Sequence, residues 1–323
     1  MKNYDVYAKF VGALEEKIPK KTKLAGFLAE TLNIEKESAY RRLRSDIQFS
    51  FREIFLLANT MNISLDKIAR GAIAENQSKI LLEMSTPGDL SGEKANGMIE
   101  LAFDFYTQLV AQSYSEMAMA LSGISFSLYQ SNSLLSRFYS LKYAYHNGNP
   151  TIRIPFGEII ETKKQLEVRE KFSGLYHQIK NTAYIWDNKI IPVLVNDIRY
   201  FQNIHLLRKE EKDALKEELF RFLNNLEQLA TDGEFKDTGN KFELYISDID
   251  IDNTYGCAWS EQVYISFHKA FIFMATISKD ASVYKNVSDW IKSIKKCSVC
   301  ISVINDKERT LFFDKQREIV NIL

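Results

Sequence analysis

Residues 22–68 read TKLAGFLAETLNIEKESAYRRLRSDIQFSFREIFLLANTMNISLDKI, a stretch in which helical patterns alternate with short polar turns. In its first part, apolar residues recur at helical spacing at Leu24, Phe27, Leu28 and Leu32. Thr22 precedes them as the expected N-cap, and Asn33 follows them as a residue that tolerates the left-handed backbone of a sharp turn. The stretch therefore predicts a helix, a tight turn and a second helix.

The segment after the turn predicts a short helix over residues 36–44. Ala39 and Leu43 are expected to face inward. The other faces carry polar and basic side chains, namely Lys36, Ser38, Tyr40, Arg41, Arg42 and Arg44. Ser50 and Glu53 then form the pattern of a capping box, so a third helix is expected to begin after Ser50. A short basic helix fits the major groove of DNA, which is about 12 Å wide.

The order and spacing of these elements resemble the helix-turn-helix of the lambda-repressor/Cro superfamily. The matching residues are Leu24-Ala25, Leu32-Asn33-Ile34, the recognition-helix sequence SAYRRL at Ser38–Leu43, and Ile63–Asp66. Two positions depart from the family: Asn33 replaces the usual Gly of the turn, and Thr22-Lys23 replaces the Gln that often begins the first helix and holds a phosphate. The resemblance covers about a seventh of the chain.

The resemblance implies a surface for double-stranded DNA on the second helix of the motif. The base-edge contacts that it implies are those of Lys36, Glu37, Ser38 and Tyr40. Contacts with either bases or phosphates are expected from Arg41, Arg42 and Arg44. Contacts with the phosphate backbone are expected from Lys21 and Lys23. A helical bundle that contacts protein without binding DNA is the alternative interpretation.

The formal net charge of the chain conceals a regional imbalance. The 323 residues include 42 Lys+Arg and 42 Asp+Glu, so the total is zero. Residues 1–75 nevertheless carry +3 and the other 248 carry −3, and residues 17–52 hold nine basic side chains against four acidic ones. A neutral total argues against a protein covered by nucleic acid or bound to an acidic membrane over its whole surface. Any DNA contact is therefore expected in the N-terminal part alone.

Cysteine content and hydropathy favour a cytoplasmic protein. Cys257, Cys297 and Cys300 are too few for a disulfide framework, which indicates a reducing compartment. The first residues lack the apolar core of a signal peptide. No stretch approaches the ~18 consecutive apolar residues of a membrane helix. We therefore expect no membrane partner.

Beyond the helix-turn-helix, the patterns predict two further regions. Residues 1–75 are assigned to the DNA-binding domain, with Pro87-Gly88 near the boundary. Residues 76–232 are interpreted as a helical region for regulation and dimerisation, because apolar residues recur at mixed three- and four-residue spacing. Residues 233–323 are expected to form a small α+β domain that serves as a possible sensor. The predicted fold class is mainly α, with an N-terminal helix-turn-helix bundle, a central helical region and a small C-terminal α+β domain.

The periodicity also predicts individual elements. Helices are expected over 163–182, 188–203, 208–230, 282–295 and 310–322. Strands are expected over 241–251, 259–267, 270–277 and 297–304, with a bulge or a break near Ser247, where the apolar face changes parity. A heptad-like seam, which suits packing inside a bundle or across a dimer interface, consists of Leu215, Leu219, Phe222, Leu226 and Leu229.

No motif outside the helix-turn-helix supports catalysis or metal binding. Asp248–Asp252 begins like a calcium loop, but Asn253 replaces the required Gly and Trp259 replaces the bidentate Glu. Cys297 and Cys300 form one C-x-x-C without a second pair, so both are expected to be buried and apolar in role. The four histidines are scattered, and no P-loop, G-x-G-x-x-G or G-x-S-x-G is present. We therefore expect no metal, no cofactor and no enzymatic activity.

The function that follows is a sequence-specific DNA-binding transcriptional regulator, whose architecture looks like that of bacterial one-component regulators. It is expected to act as a homodimer, because two half-sites one helical turn (~34 Å) apart multiply affinity and specificity. An unknown effector, either a small molecule or a protein, is a further partner that we leave open. The alternatives are an interaction scaffold that binds protein through the helix-turn-helix, or an enzyme with a C-terminal active site that the N-terminal domain targets.

Overall fold

The computed structural model describes residues 6–61, 63–65, 68, 83–84, 97–147, 153–161, 163–270 and 274–323. The chain divides into two compact units, residues 1–79 (unit 1) and residues 80–323 (unit 2). The boundary predicted near Pro87-Gly88 lies outside the described residues.

Unit 1 is a bundle of short helices. Its helices of eight residues or more in the described part are α1 (Val6–Lys17), α2 (Lys21–Leu32), α3 (Lys36–Leu43) and α4 (Phe51–Thr60). One apolar core joins them, built from residues such as Leu14, Leu24, Leu28, Ala39 and Leu57. The sequence analysis overlooked α1, although Phe10, Val11 and Leu14 of this helix are buried in the core.

The turn between α2 and α3 has the left-handed backbone that the sequence predicted. Asn33 adopts φ 53° and ψ 52°, and the amide of Ile34 donates to the carbonyl of Ala29 at 3.0 Å. The predicted start of α2 is wrong by two residues, because the N-cap is Lys20 and its side chain makes no capping hydrogen bond. Thr22 therefore lies inside the first turn of the helix.

The start of α4 confirms the predicted capping box. The amide of Glu53 donates to the Ser50 hydroxyl at 3.3 Å, and the amide of Ser50 donates to the Glu53 carboxylate at 2.7 Å. The two bonds satisfy donors that the first turn of a helix otherwise leaves without partners. They also fix the Glu53 side chain at the N-terminal end of α4.

Unit 2 is built on one eight-stranded mixed sheet in the described residues. Its strands are β1 (Glu83–Met84), β2 (Ser115–Leu121), β3 (Asn181–Asp187), β4 (Lys241–Ser247), β5 (Tyr255–Ser260), β6 (Tyr264–Ala270), β7 (Met274–Ser278) and β8 (Ser298–Cys300). The order across the sheet is β1-β7-β6-β5-β2-β3-β4-β8. Strands β2, β3 and β4 are parallel, whereas the other neighbours are antiparallel.

The predicted fold class is therefore wrong for this part of the chain. Strands β2 and β3 come from the region expected to be helical, yet they lie at the centre of the same sheet as β4 to β7. A mainly α protein with a small, separate C-terminal α+β domain does not describe this arrangement. Residues on both sides of the predicted 232/233 boundary pair in one sheet, for example Tyr184 with Leu244.

Helices cover the sheet unequally on its two faces. The helices of the described part of unit 2 are α5 (Gly97–Val110), α6 (Phe126–Tyr129), α7 (Ser133–Asn147), α8 (Lys163–Tyr176), α9 (Ile190–Asn203), α10 (Lys209–Asp232), α11 (Ala281–Lys296) and α12 (Asp306–Asn321), with a 3₁₀ turn at Phe156–Glu158. One face packs against a large core to which most of these helices contribute. The other face packs against a smaller core that includes Ile291 of α11. Among the described helices, none is both long and apolar enough to span a bilayer.

The two cores account for the composition of the central strands. In β2, Met117, Met119 and Leu121 belong to the large core, and Ala118 and Ala120 face the side of α11. A strand that is buried on both faces is apolar at nearly every position, so its sequence lacks the alternation of polar and apolar residues that marks a half-exposed strand. Ala, Met and Leu are also strong helix formers, which explains why β2 was predicted as helix.

The remaining elements depart from the prediction mainly at their ends. The predicted helix over 163–182 ends at Tyr176, and the predicted strand over 259–267 is a hairpin of β5 and β6. Strand β4 ends at Ser247, so the change in parity there is a break. The heptad-like seam of α10 is packed inside unit 2, because its members from Leu215 to Leu226 are buried in the large core.

Strands β5 and β6 approach each other closely at one pair of residues. Gly256 is opposite Phe267 in the register of the two strands. A Cβ atom built on Gly256 would lie 2.1 Å from the Cζ atom of Phe267, and two more ring atoms would lie within 2.7 Å. The phenyl ring therefore packs directly over the glycine, a known way to fill the space beside a glycine in a sheet.

Candidate nucleic-acid interface

The sequence-predicted contact residues fall into two groups by exposure. The exposed ones are Lys21, Lys23, Lys36, Glu37, Arg41 and Arg44. The partly buried ones are Ser38, Tyr40 and Arg42. Ala39 is fully buried in the core of unit 1, which fixes the inward face of α3. Because Ala39 anchors α3 to the core, the exposed side chains of the helix point away from the core.

Three exposed side chains lie along one side of α3 and its C-cap, Arg44. Glu37, Arg41 and Arg44 are separated by four and three residues, the spacing that places side chains next to each other along a helix. Arg41 has no carboxylate within ion-pair distance among the described residues. This face therefore presents one unpaired guanidinium beside a paired one.

Arg44 is held by two carboxylates at the C-terminal end of this face. Its Nη2 atom lies 3.1 Å from Glu37, and its Nε atom lies 3.1 Å from Asp46. The hydrogen bonds to Asp46 and Glu37 raise the pKa of the Arg44 guanidinium above its ordinary value. All three side chains are exposed, and exposed ion pairs contribute little to stability. An approaching phosphate can therefore replace either carboxylate as the partner of Arg44 at small cost.

Arg42 has a different environment from the other arginines of α3. Its Nη2 atom donates to the Glu53 carboxylate at 2.9 Å, and its Nη1 atom donates to the carbonyl of Ser38 at 3.3 Å. The two charged side chains are only 15% and 19% exposed, and the guanidinium lies 5.9 Å from the centre of the Phe49 ring. Arg42 therefore ties α3 to α4 inside unit 1. Its predicted contact with DNA stays a prediction.

Helix α1 supports the same end of α3. The Tyr7 hydroxyl lies 2.9 Å from the carbonyl of Arg42 and 3.0 Å from the carbonyl of Ile47. It also accepts a hydrogen bond from the amide of Phe49 at 3.3 Å. The end of α3 and the segment that follows it are thereby fixed against α1. The sequence analysis did not identify Tyr7, because nothing near it in the chain indicates a partner 35 residues away.

The Glu53 carboxyl is ionised more readily than an ordinary glutamate. Burial raises its pKa, but the hydrogen bonds from Ser50 and Arg42 outweigh burial and hold the pKa below the ordinary value. A carboxyl with a lowered pKa stabilises the folded state above its unfolded pKa of about 4.3 and loses this contribution as the pH falls through the folded value. The capping box had pointed to Glu53 in the sequence, although its link to Arg42 had not been foreseen.

We expect the Glu53→Gln substitution to flatten the acid side of the stability profile. Between pH 6 and about pH 3, the free energy of unfolding of the native chain should fall more steeply than that of the variant. Urea unfolding of both proteins, followed by circular dichroism at several pH values, measures the difference. The other carboxyls are common to both proteins and cancel. If the stability of the two proteins fell in parallel with pH, the hydrogen bonds from Ser50 and Arg42 would not be lowering the pKa of Glu53.

The cysteines of unit 2 differ in burial, and burial shifts the pKa of one thiol. The prediction that Cys297 is buried is wrong, because this residue ends α11 and is exposed, whereas Cys300 on β8 is partly buried. Burial raises the pKa of the Cys257 thiol to about 11, so it carries little thiolate near neutral pH. Among the described residues, no group of three His, Cys, Asp or Glu side chains is placed to hold a metal ion.

Comparison with known proteins identified no relative of this chain. The chain matches no protein-family model, no curated protein and no solved structure.

Proposed function

We propose that the protein is a sequence-specific transcriptional regulator that binds double-stranded DNA through α3 and acts in the cytoplasm as a homodimer. The observation that carries the proposal is the exposed side of α3 and its C-cap, where Arg41 and Arg44 lie beside Glu37. The helix before it ends in a left-handed turn at Asn33. The proposal includes no catalytic role, and its place in the cytoplasm is supported by the three free cysteines.

The proposal gives the basic residues of unit 1 distinct roles. Arg41 and Arg44 contact phosphates or guanine edges, since a guanidinium fits both. Lys36 and Glu37 lie in the first turn of α3, the part of a recognition helix that enters the major groove. Arg42 positions α3 through Glu53.

We expect the Arg41→Ala substitution to weaken DNA binding and to reduce its salt dependence. Each phosphate contact that is lost removes about 0.9 from the slope of log K against log salt concentration. The slope is measured on the full chain between 50 and 200 mM salt, with DNA fragments enriched by selection from a genomic library. Lys296→Ala is the matched control, because it removes one exposed positive charge from unit 2.

The same measurements define the results that would contradict the proposal. Binding that does not change between the two salt concentrations would exclude a DNA-binding regulator, since phosphate contacts require counterion release. An unchanged slope for Arg41→Ala would show that α3 is not the contact helix. Enriched fragments that lack two inverted half-sites one helical turn apart would contradict the homodimer.

One observation favours the interaction scaffold as a second candidate. Phe51 and Phe55, four residues apart on α4, are 80% and 62% exposed. Two large apolar side chains on one helix face are typical of a protein contact. The same face also suits a homodimer, so it does not by itself separate the two candidates. The salt titration does, because a scaffold without DNA contacts shows no such dependence.

A further inference from the structure

A small cleft lies in unit 2 between α11 and the sheet. Its volume is about 150 Å³. An engineered cavity of about this volume accepts a single benzene ring. The cleft therefore has room for one ring or for a branched aliphatic side chain, and it is too small for a nucleotide.

The floor of the cleft is a row of small side chains across three neighbouring strands. Ala118 of β2 is in register with Ala183 of β3 and with Cys257 of β5. All three line the cleft. Because none of these side chains fills the distance to α11, the space above them stays open. The small size of these three side chains therefore creates the cleft.

Aromatic side chains from two elements form the walls. Trp259 of β5 and Tyr284 of α11 both line the cleft. Trp259 is 36% exposed, although a tryptophan on a central strand would ordinarily be covered. The floor and the walls together suit an apolar group with a flat or branched shape.

The sheet side of the rim offers hydrogen-bond acceptors. Glu116 and Asn181 are in register on β2 and β3, and both line the cleft. The Tyr114 hydroxyl donates to the Oε1 atom of Glu116, so the Oε2 atom is the one left for a ligand. The Oδ1 atom of Asn181 is buried and has no hydrogen-bond partner. A buried acceptor without a donor is costly, so a ligand that supplies one is favoured here.

The helix side of the rim offers a cation. Lys292 is exposed on α11 and lines the cleft, and it has no ion pair among the described residues. Lys295 also lines the cleft, but its ammonium donates to the Glu243 carboxylate at 2.6 Å. One side of the rim thus holds a free positive charge, and the other holds a negative charge and a buried acceptor.

We propose that this cleft binds a free α-amino acid with an apolar side chain no larger than one ring. The ligand ammonium donates to Glu116 Oε2 and to Asn181 Oδ1, and the ligand carboxylate pairs with Lys292. The side chain lies on the row of small residues, between the aromatic walls. A simple anion leaves Asn181 Oδ1 without a donor, and a simple amine leaves Lys292 without an acceptor, so the zwitterion supplies a partner to both.

This site lies in unit 2 and does not rest on DNA binding. Its test therefore uses the full chain without DNA, and a negative result leaves the proposed function of unit 1 unaffected. If both proposals hold, the amino acid is a signal for the regulator.

The test is calorimetric titration with L-valine, L-leucine and L-phenylalanine. The truncated probes are 3-phenylpropanoate, which lacks the ammonium, and 2-phenylethylamine, which lacks the carboxylate. We expect at least one amino acid to bind, and the phenylalanine series to lose about tenfold in affinity with either truncation, since each removes a charge-assisted hydrogen bond. No heat with any of the three amino acids at millimolar concentration would overturn the proposal. Equal binding of the acid without the ammonium would also overturn it, in favour of a simple anion site.

Variants test the assignment of individual residues. Lys292→Ala should weaken amino-acid binding about tenfold, and the matched control Lys296→Ala, on the same helix but outside the cleft, should leave it unchanged. Glu116→Gln should weaken binding of the amino acid without affecting the acid alone. Both substitutions are at exposed positions, so the fold is retained and can be checked by circular dichroism. Unchanged affinity in Lys292→Ala would overturn the assignment.

Discussion

The Arg42→Met variant is expected to lose stability in unit 1 by about 2–3 kcal/mol, because it leaves a largely buried carboxylate without its cation. Glu53 would keep only its hydrogen bond from Ser50, and the carbonyl of Ser38 would lose a donor. Hydrogen–deuterium exchange of the full chain measures this loss as reduced protection of the amides of α3 and α4. Arg52→Met is the matched control, since Arg52 is an exposed arginine on α4.

The same variant separates a positioning role from direct contact with DNA. If Arg42 only holds α3 in place, DNA affinity falls while the slope of the salt dependence stays that of the native chain. A drop of about 0.9 in that slope, with protection of α3 unchanged, would instead assign a phosphate contact to Arg42, as the sequence predicted. Combining Arg42→Met with Glu53→Gln should cost less than the sum of the two, since both remove one interaction.

The Gly256→Ala variant is expected to destabilise unit 2 by about 2–3 kcal/mol through overpacking. The added methyl group would collide with the ring of Phe267, which cannot retreat freely because it packs against the large core. The backbone at Gly256 is not in the left-handed region, so the effect is purely steric. Urea unfolding of the full chain measures it.

A matched control and a rescue make this result specific. At Gly123 a Cβ atom would meet nothing within 4 Å, so Gly123→Ala should change the free energy of unfolding little. Adding Phe267→Ala to Gly256→Ala should cost less than the sum of the two single changes, because the collision disappears. If Gly256→Ala were as mild as Gly123→Ala, the close packing of ring on glycine would not be present in solution.

Local signals explain what was predictable from the sequence. The capping box of Ser50 and Glu53 and the turn at Asn33 depend on residues within three positions of each other, so their patterns are visible in the chain. In β4, every second residue (Phe242, Leu244 and Ile246) is apolar and packs in or against the large core. This alternation made the strand recognisable in the sequence.

Features that depend on distant partners were not predictable. Strand β3 is buried at six of its seven positions, and its apolar run reads equally well as the end of a helix. In the candidate site, Arg42 has the same local sequence character as Arg41. Only the position of Glu53, eleven residues later, distinguishes an arginine inside the bundle from one on its surface.

The order of the strands also determines when during synthesis each unit can fold. Unit 1 completes the described part of its core by Ile68, so its packing needs nothing that is made later. The central strand β2 pairs with β3 and with β5, and its Met117 is in register with Ala258. A nascent chain therefore carries β2 with one edge open while more than a hundred further residues are added, and an open apolar edge invites aggregation. Unit 1 can therefore complete its core during synthesis well before unit 2 can complete its sheet, which requires β5.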